Sequence, residues 1–141
     1  MQITQILADL VAEALKSAQA ASALPVAGEV DIKIERPKLS EHGDFSTSLP
    51  LTLARTMRVP PIQIATAIVD AMPQDEMIGS VASAPPGFVN FTLSMHWLQS
   101  QVNIVRSLGE KFGAVDSGLG KTVQVEFVSV NPTGPLHVGH A

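Results

Sequence analysis

A cluster of glycines near the C-terminus divides the sequence into two unequal parts. The cluster consists of Gly109, Gly113, Gly118 and Gly120. Glycine weakens helices and strands because its backbone loses the most conformational freedom on folding. We therefore predict a linker over residues 109–121. Residues 1–108 then have the length of one ordinary domain, whereas residues 122–141 are only enough to begin another.

Apolar residues within 1–108 recur with both helical and strand periods, which indicates a mixed domain. The predicted helices are residues 2–21, a helix capped by Asp44 or Ser46 that runs to Met57, a helix that starts at Pro60-Pro61 and carries Ile62 to Met72, and a helix that carries Trp97 to Leu108. The predicted strands are residues 30–35, 78–84 and 88–93. The turn Pro85-Pro86-Gly87 joins the last two strands as a hairpin.

The composition limits the kinds of function that the chain can have. It contains no cysteine, which excludes disulfides and thiolate metal sites. A net charge of −4 argues against binding nucleic acid through bulk positive charge, although it leaves a local basic patch open. The longest stretch without charged residues, 77–105, is broken by proline, glycine and polar residues, so we predict no membrane span. The N-terminus lacks the pattern of a secretory signal, and we expect a cytoplasmic protein.

The run from Val125 to His140 carries the clearest chemistry. A β-branched strand leads into a turn rich in proline and glycine, and His137-Val138-Gly139-His140 follows in a position to open a helix. Helix N-termini bind anions, and two histidines at i and i+3 lie on one helical face, where both can donate to phosphate oxygens. Gly139 would let a flat base approach the backbone. The pattern predicts a phosphate site, with a metal site or simple solvated histidines as weaker interpretations.

These residues resemble a known family. The run from Glu126 to His140 resembles the first signature of class I aminoacyl-tRNA synthetases, in the form found in arginyl-tRNA synthetases. Three upstream segments occur in the same order in the N-terminal domain of that family: His42-Gly43-Asp44-Phe45, Val59-Pro60-Pro61 before Ile64-Ala65, and Pro86-Gly87-Phe88-Val89-Asn90-Phe91. The resemblance therefore covers essentially the whole chain and favours the arginine enzyme over class I in general.

The resemblance implies an α+β fold in two parts. Residues 1–108 would be an antiparallel sheet with helices packed on one face, the family's N-terminal additional domain, which contacts the D-loop of tRNA. Residues 122–141 would be the first strand and turn of a Rossmann-type catalytic domain. The whole enzyme would activate L-arginine with Mg-ATP and transfer it to tRNA(Arg), and we expect the fragment alone to be inactive, with no metal bound.

The resemblance also implies roles for individual residues of the C-terminal segment. His137 and His140 would be catalytic and would contact the ATP phosphates, with Gly139 beneath the adenine. Glu126 would pair with the guanidinium of arginine, and Ser129 and Asn131 would lie near its amino and carboxylate groups. Without the resemblance, Glu126 would be interpreted as an ordinary strand residue that faces solvent. Many members carry lysine where this chain has Gly134, which implies an intact second signature elsewhere in the enzyme.

Phe88 and Asn90 match the family positions that touch a D-loop base. Strand alternation places them with Thr92 on the open face of the sheet, opposite Val89 and Phe91. An aromatic ring beside an amide suits recognition of an unpaired base, although Phe88 could equally just cover the hairpin edge. Further cations could contact phosphates or only form a solvated surface: Lys33, Arg36, Lys38, Arg55 and Arg58.

Two other functions stay open. The domain could be a free-standing module that binds RNA or docks on a partner. A small nucleotidylyltransferase also uses a His-x-Gly-His helix start, but there the motif usually lies near the start of the chain. The apolar strand over 122–130 would present an open edge, so we expect it to be disordered, docked on its own domain or paired with another copy.

Overall fold

The structure is a computed structural model that describes residues 3–28, 30–114, 118, 120–125, 134, 135 and 137. The chain forms two compact units, Met1–Ser107 and Leu108–Ala141. Among the described residues of the second unit, Gly109–Lys111 form one turn of 3-10 helix, and residues 121–125 have no regular secondary structure. The strand predicted over 122–130 is therefore not confirmed at its described residues, 122–125, and its remaining residues lie outside the described part of the chain.

The described residues of the first unit form four α-helices, in the order in which helical spacing predicts them. They are α1 (Ile3–Ala20), α2 (Leu49–Met57), α3 (Pro61–Asp70) and α4 (Met95–Leu108, which ends one residue into the second unit). A 3-10 turn, Ser40–His42, lies between α1 and α2. Prolines stand at the first positions of α2 and α3, where the missing N–H costs no helical hydrogen bond.

Three strands form one antiparallel sheet. They are β1 (Phe45–Thr47), β2 (Ile78–Ala84) and β3 (Phe88–Leu93), in the order β1-β3-β2. The predicted hairpin of β2 and β3 is confirmed with the predicted bounds. In the register of the sheet, Ser46 lies opposite Asn90 on one side of β3, and Ala82 lies opposite it on the other.

The core of the first unit lies between one face of the sheet and the helices. Val89 and Phe91 of β3 are fully buried, and Phe45 of β1 packs beside them. Each of α1, α2 and α3 contributes buried apolar side chains to this cluster: Leu7 and Val11, Leu49 and Leu53, and Ile64 and Ile68. The expected α+β architecture, a sheet with helices on one face, is confirmed for this unit. The Rossmann-type strand is not.

The helix start predicted at Asp44 or Ser46 is wrong. Residues 45–47 form β1, and α2 begins only at Leu49. Phe45 and Thr47 have side chains that favour strands, and pairing with β3 buries both. The Thr47 hydroxyl then accepts a hydrogen bond from the Leu49 N–H at 3.2 Å, so the strand passes directly into the helix.

The strand predicted over 30–35 is also wrong. It is reduced to one antiparallel bridge between Glu35 and Ser46. In that register the residues before Glu35 would pair with the residues after Ser46, but the chain turns into α2 there. The segment therefore finds no strand partner, although Val30, Ile32 and Ile34 still pack against the core.

Candidate nucleic-acid interface

The open face of the sheet carries a row of paired residues across its strands. Glu35, Ser46, Asn90 and Ala82 follow one another in register, so their side chains share one face. Ser46 exchanges both backbone hydrogen bonds with Glu35, at 2.8 and 2.9 Å. Its pair with Asn90 is then of the kind without hydrogen bonds, in which side chains approach most closely. Because Ser46 and Ala82 are small, the Asn90 amide is left accessible between them.

A pocket of about 390 Å³ lies over this row. Phe88 and Asn90, predicted as the RNA-contacting pair, both line it and are half-buried. Its lining includes the charged residues Glu35, Arg36 and Lys38. The pocket thus combines an aromatic ring, an amide and two cations in one concave site. A pocket with a few converging polar groups is the usual form of a small-ligand site.

The two cations at the pocket are available to an anionic ligand. Within the described part of the chain, no acidic side chain lies in ion-pair distance of Arg36 or Lys38, whereas Lys33 lies 3.9 Å from Asp31. The guanidinium of Arg36 lies 5.3 Å from the centre of the Phe45 ring, close enough for a cation–π contact. In the register of the Glu35–Ser46 bridge, Arg36 lies beside Phe45, so this contact turns the guanidinium toward the Phe45 side of the strand, at the edge of the pocket, and Arg36 stays exposed.

A loop before β1 is joined to β3 by two hydrogen bonds of Asp44. Its N–H donates to the Phe91 carbonyl, and its carboxylate Oδ2 accepts from the Leu93 N–H, both at 2.8 Å. The preceding Gly43 has a φ of 86°, and a Cβ there would lie 2.5 Å from the Phe91 carbonyl oxygen. Asp44 therefore holds a strand end rather than capping a helix, which corrects the sequence-based prediction.

A second glycine supports Phe88. Gly87 is buried, and a Cβ at this position would collide with the Pro61 side chain at the start of α3. The turn that leads into β3 is thereby packed directly on a helix end. Because Phe88 is the next residue, this contact determines where its ring enters the pocket.

Sequence reasoning missed several residues of the pocket. Among them, Glu35, His42 and Ser46 carry polar side chains and line it, but none was predicted to do so. Glu35 was placed in a strand without a known partner, and Ser46 was placed at a helix start. The signal that could have found Glu35 and Ser46 is the strand character of the short run Phe45-Ser46-Thr47, which pairs with Glu35 on one side and with β3 on the other. Of the scattered cations, Arg36 and Lys38 lie at the pocket, whereas Lys33, Arg55 and Arg58 do not line it.

The predicted ATP and arginine residues lie almost entirely beyond the described residues. Only His137 is described, and it is exposed. The other five, Glu126, Ser129, Asn131, Gly139 and His140, lie outside the described part. Their roles stay predictions. No three His, Asp or Glu side chains in the described ranges cluster as a metal site would require. The described helices also include none with the length and apolar character needed to cross a membrane.

The chain matches known proteins along its length. A family model described as the arginyl tRNA synthetase N terminal domain matches residues 5–93. The arginine–tRNA ligase of Dehalococcoides mccartyi strain CBDB1 is 39% identical over 140 residues, which are 99% of this chain and 25% of that protein. The arginine–tRNA ligase of Nitrosomonas eutropha is 42% identical over 131 residues, 93% of this chain and 22% of that protein.

Solved structures agree with these matches. The Thermus thermophilus arginyl-tRNA synthetase superposes with a TM-score of 0.58 at 25% identity, covering 99% of this chain and 21% of that one. The Plasmodium falciparum arginyl-tRNA synthetase has the same TM-score at 13% identity, covering 71% of this chain and 17% of that one, and so shows the fold alone.

These relatives share one class by name: they are enzymes that charge tRNA with an amino acid. The chain belongs to the arginyl-tRNA synthetase N-terminal domain family. It spans about a quarter of the length of the curated relatives that it matches.

Proposed function

We propose that residues 1–108 recognise tRNA(Arg) by holding one unpaired D-loop nucleotide in the pocket on the open face of the sheet. The observation that carries this proposal is the joint placement of Phe88, Asn90, Arg36 and Lys38 around one cavity. Each supplies a different part of nucleotide recognition. Four other surface pockets of the described residues have no aromatic ring in their lining.

The chemistry of the pocket suits a splayed-out base. The Phe88 ring offers a stacking surface, and stacking on an aromatic side chain contributes about 1–3 kcal/mol per base. The Asn90 amide has both a donor and an acceptor, so it can form two hydrogen bonds with a base edge. Arg36 and Lys38, which line the pocket, would contact the phosphates beside the base.

The charge of the chain limits the strength of this binding. With a net charge of −4, the rest of the surface repels RNA, and only a few cations contact phosphates. We expect weak binding whose logarithmic salt slope corresponds to about two or three phosphate contacts. Electrostatic repulsion of this kind would favour a specific local contact over nonspecific coating of the RNA.

The C-terminal segment would contribute the first nucleotide-binding signature of a larger enzyme. That enzyme would form arginyl-adenylate from L-arginine and Mg-ATP and transfer the arginine to the 3′ adenosine of tRNA(Arg). His137, Gly139 and His140 would bind ATP, the histidines stabilising charge on the phosphates in the transition state. Glu126 would accept a bidentate hydrogen bond from the guanidinium of the substrate, near Ser129 and Asn131. The enzyme would work in the cytoplasm, and the 141-residue chain alone would not catalyse arginine-dependent ATP–pyrophosphate exchange.

Substitution at the pocket tests the RNA-binding proposal. We expect Phe88→Ala and Asn90→Ala each to weaken binding of an arginine tRNA transcript by about ten-fold, since each removes one stacking or hydrogen-bonding contact. Fluorescence anisotropy at low salt measures the dissociation constants. Thr92→Ala is a matched control, because Thr92 lies on the same strand and face but is exposed and does not line the pocket. Unchanged affinity in both pocket variants would refute the proposal.

An exposed apolar stripe on α4 favours a second function, in which the domain docks on another protein. Leu98, Val102 and Val105 on α4 are 36%, 57% and 38% exposed, although they recur with helical spacing. Such a stripe is typical of a helix that packs on another protein surface. Loss of a partner on Val102→Ser, with tRNA binding retained, would support docking as a second function of the domain.

A further inference from the structure

The residues Gly43 and Asp44, which we call the 43–44 clamp, fasten the start of β1 to the end of β3. The Asp44 N–H donates to the Phe91 carbonyl, and the Leu93 N–H donates to Asp44 Oδ2, each at 2.8 Å. β1 begins only at Phe45, so no β1 carbonyl reaches the Leu93 N–H. The carboxylate therefore replaces a strand carbonyl at the place where the strand is too short.

Gly43 allows this approach. Its φ of 86° is in the left-handed region, and a Cβ would lie 2.5 Å from the Phe91 carbonyl oxygen and 3.1 Å from the Thr92 hydroxyl. Any other residue would push the loop away from β3. The clamp consequently depends on both residues, one for the close approach and the other for the acceptor.

The clamp has a consequence for the pocket. β1 forms only three residue pairs with β3, and so short a ladder resists slippage weakly. A slip of one residue would turn Ser46 from the open face to the core and remove it from beside Asn90. The contacts of Asp44 fall immediately outside these three pairs, where they oppose such a slip.

We propose that Asp44 is a positioning residue for nucleotide binding, acting through the register of β1 against Asn90. This inference rests on the proposed RNA-binding function of the pocket. Asp44 does not line the pocket, so it acts without touching the ligand. Its role is to keep Ser46 and Glu35 as the wall beside the Asn90 amide.

A pair of variants separates this role from the charge of Asp44. Asp44→Ala removes the acceptor, and we expect the affinity of the 141-residue chain for an arginine tRNA transcript to fall about ten-fold. Asp44→Asn keeps a side-chain oxygen that can accept from the Leu93 N–H, so it should bind within about two-fold of the wild-type chain. If Asp44 acted only by repelling RNA, both variants would bind more tightly, and the proposal would be overturned.

A general loss of stability must be distinguished from a shift of β1 against β3. Ile64→Val, in the core on α3 and outside the pocket, serves as the matched control that lowers the melting temperature. We expect it to leave tRNA affinity unchanged. Equal loss of affinity in Ile64→Val and Asp44→Ala would assign Asp44 a purely structural role. Should Asp44→Ala not fold, Asp44→Glu, whose longer side chain displaces the carboxylate, enters the same comparison and should also weaken binding.

NMR of the same variants tests the clamp without RNA. In Asp44→Ala we expect faster amide exchange at Leu93 and loss of the cross-strand contacts between Ser46 and Asn90, with both retained in Asp44→Asn. Contacts unchanged in Asp44→Ala would overturn the inference whatever the RNA data show. If Phe88→Ala and Asn90→Ala both bind tRNA as tightly as the wild-type chain, the proposed function fails, and the NMR comparison still decides whether Asp44 sets the register.

Discussion

At the residue scale, the pocket depends on small residues at close contacts. Ser46 and Ala82 flank Asn90, and Gly87 lies against Pro61. A larger side chain at any of these places would either cover the amide or move the strand that carries it. The shape of the pocket and the position of its strands are therefore set partly by small residues.

Gly87 gives the sharpest prediction at this scale. In Gly87→Ala the added methyl group would overlap the rigid ring of Pro61, and neither partner can rotate away. We expect the free energy of unfolding to fall by about 1–3 kcal/mol, as for overpacked cores. Thermal and urea denaturation measure this loss. Gly28→Ala is the control, because a Cβ at Gly28 meets no atom within 4 Å and should leave stability nearly unchanged.

At the element scale, segments with a long and unbroken period were predictable from the sequence. Helices α1 and α3 have 18 and 10 residues with apolar side chains at helical spacing. The turn Pro85-Pro86-Gly87 marks the hairpin of β2 and β3. β1 was not predictable in the same way. Its three residues stand next to a helix, and only their pairing with a strand more than forty residues later makes them a strand.

The candidate site also has one part that the sequence predicts and one part that it does not. Alternation along β3 places Phe88 and Asn90 on the open face, and the burial of Val89 and Phe91 agrees with that placement. The wall formed by Glu35 and Ser46 could not be predicted, because it depends on an isolated bridge between distant residues. Contacts of this kind are set by tertiary pairing rather than by local preference.

The exposed stripe of α4 gives a prediction at the element scale. Because Val102 is 57% exposed, its replacement by serine should change the stability of the chain by no more than about 0.5 kcal/mol. Trp97, which packs against the core on the same helix, serves as the contrast. Trp97→Ala should cost about 2 kcal/mol or more. A large loss on Val102→Ser in urea denaturation would mean that this face is covered in solution.

At the scale of the whole molecule, the net charge and the pocket have opposite effects on RNA binding. The net charge of −4 opposes RNA binding in general, whereas the pocket concentrates Arg36 and Lys38 beside an aromatic ring and an amide. The proposed binding of one nucleotide at a defined place would be compatible with both. The first structural unit is a folded α+β domain, and the second carries the predicted catalytic signature.

The central claim is that the pocket on the open face holds a nucleotide of tRNA. Titration of the ¹⁵N-labelled chain with an arginine tRNA transcript, followed by NMR, tests it most directly. We expect the largest amide shifts at Ser46, Phe88 and Asn90, with small shifts at the buried helix positions Leu7 and Ile68. Shifts concentrated on α4, or spread evenly over the surface with none at the pocket, would contradict the claim.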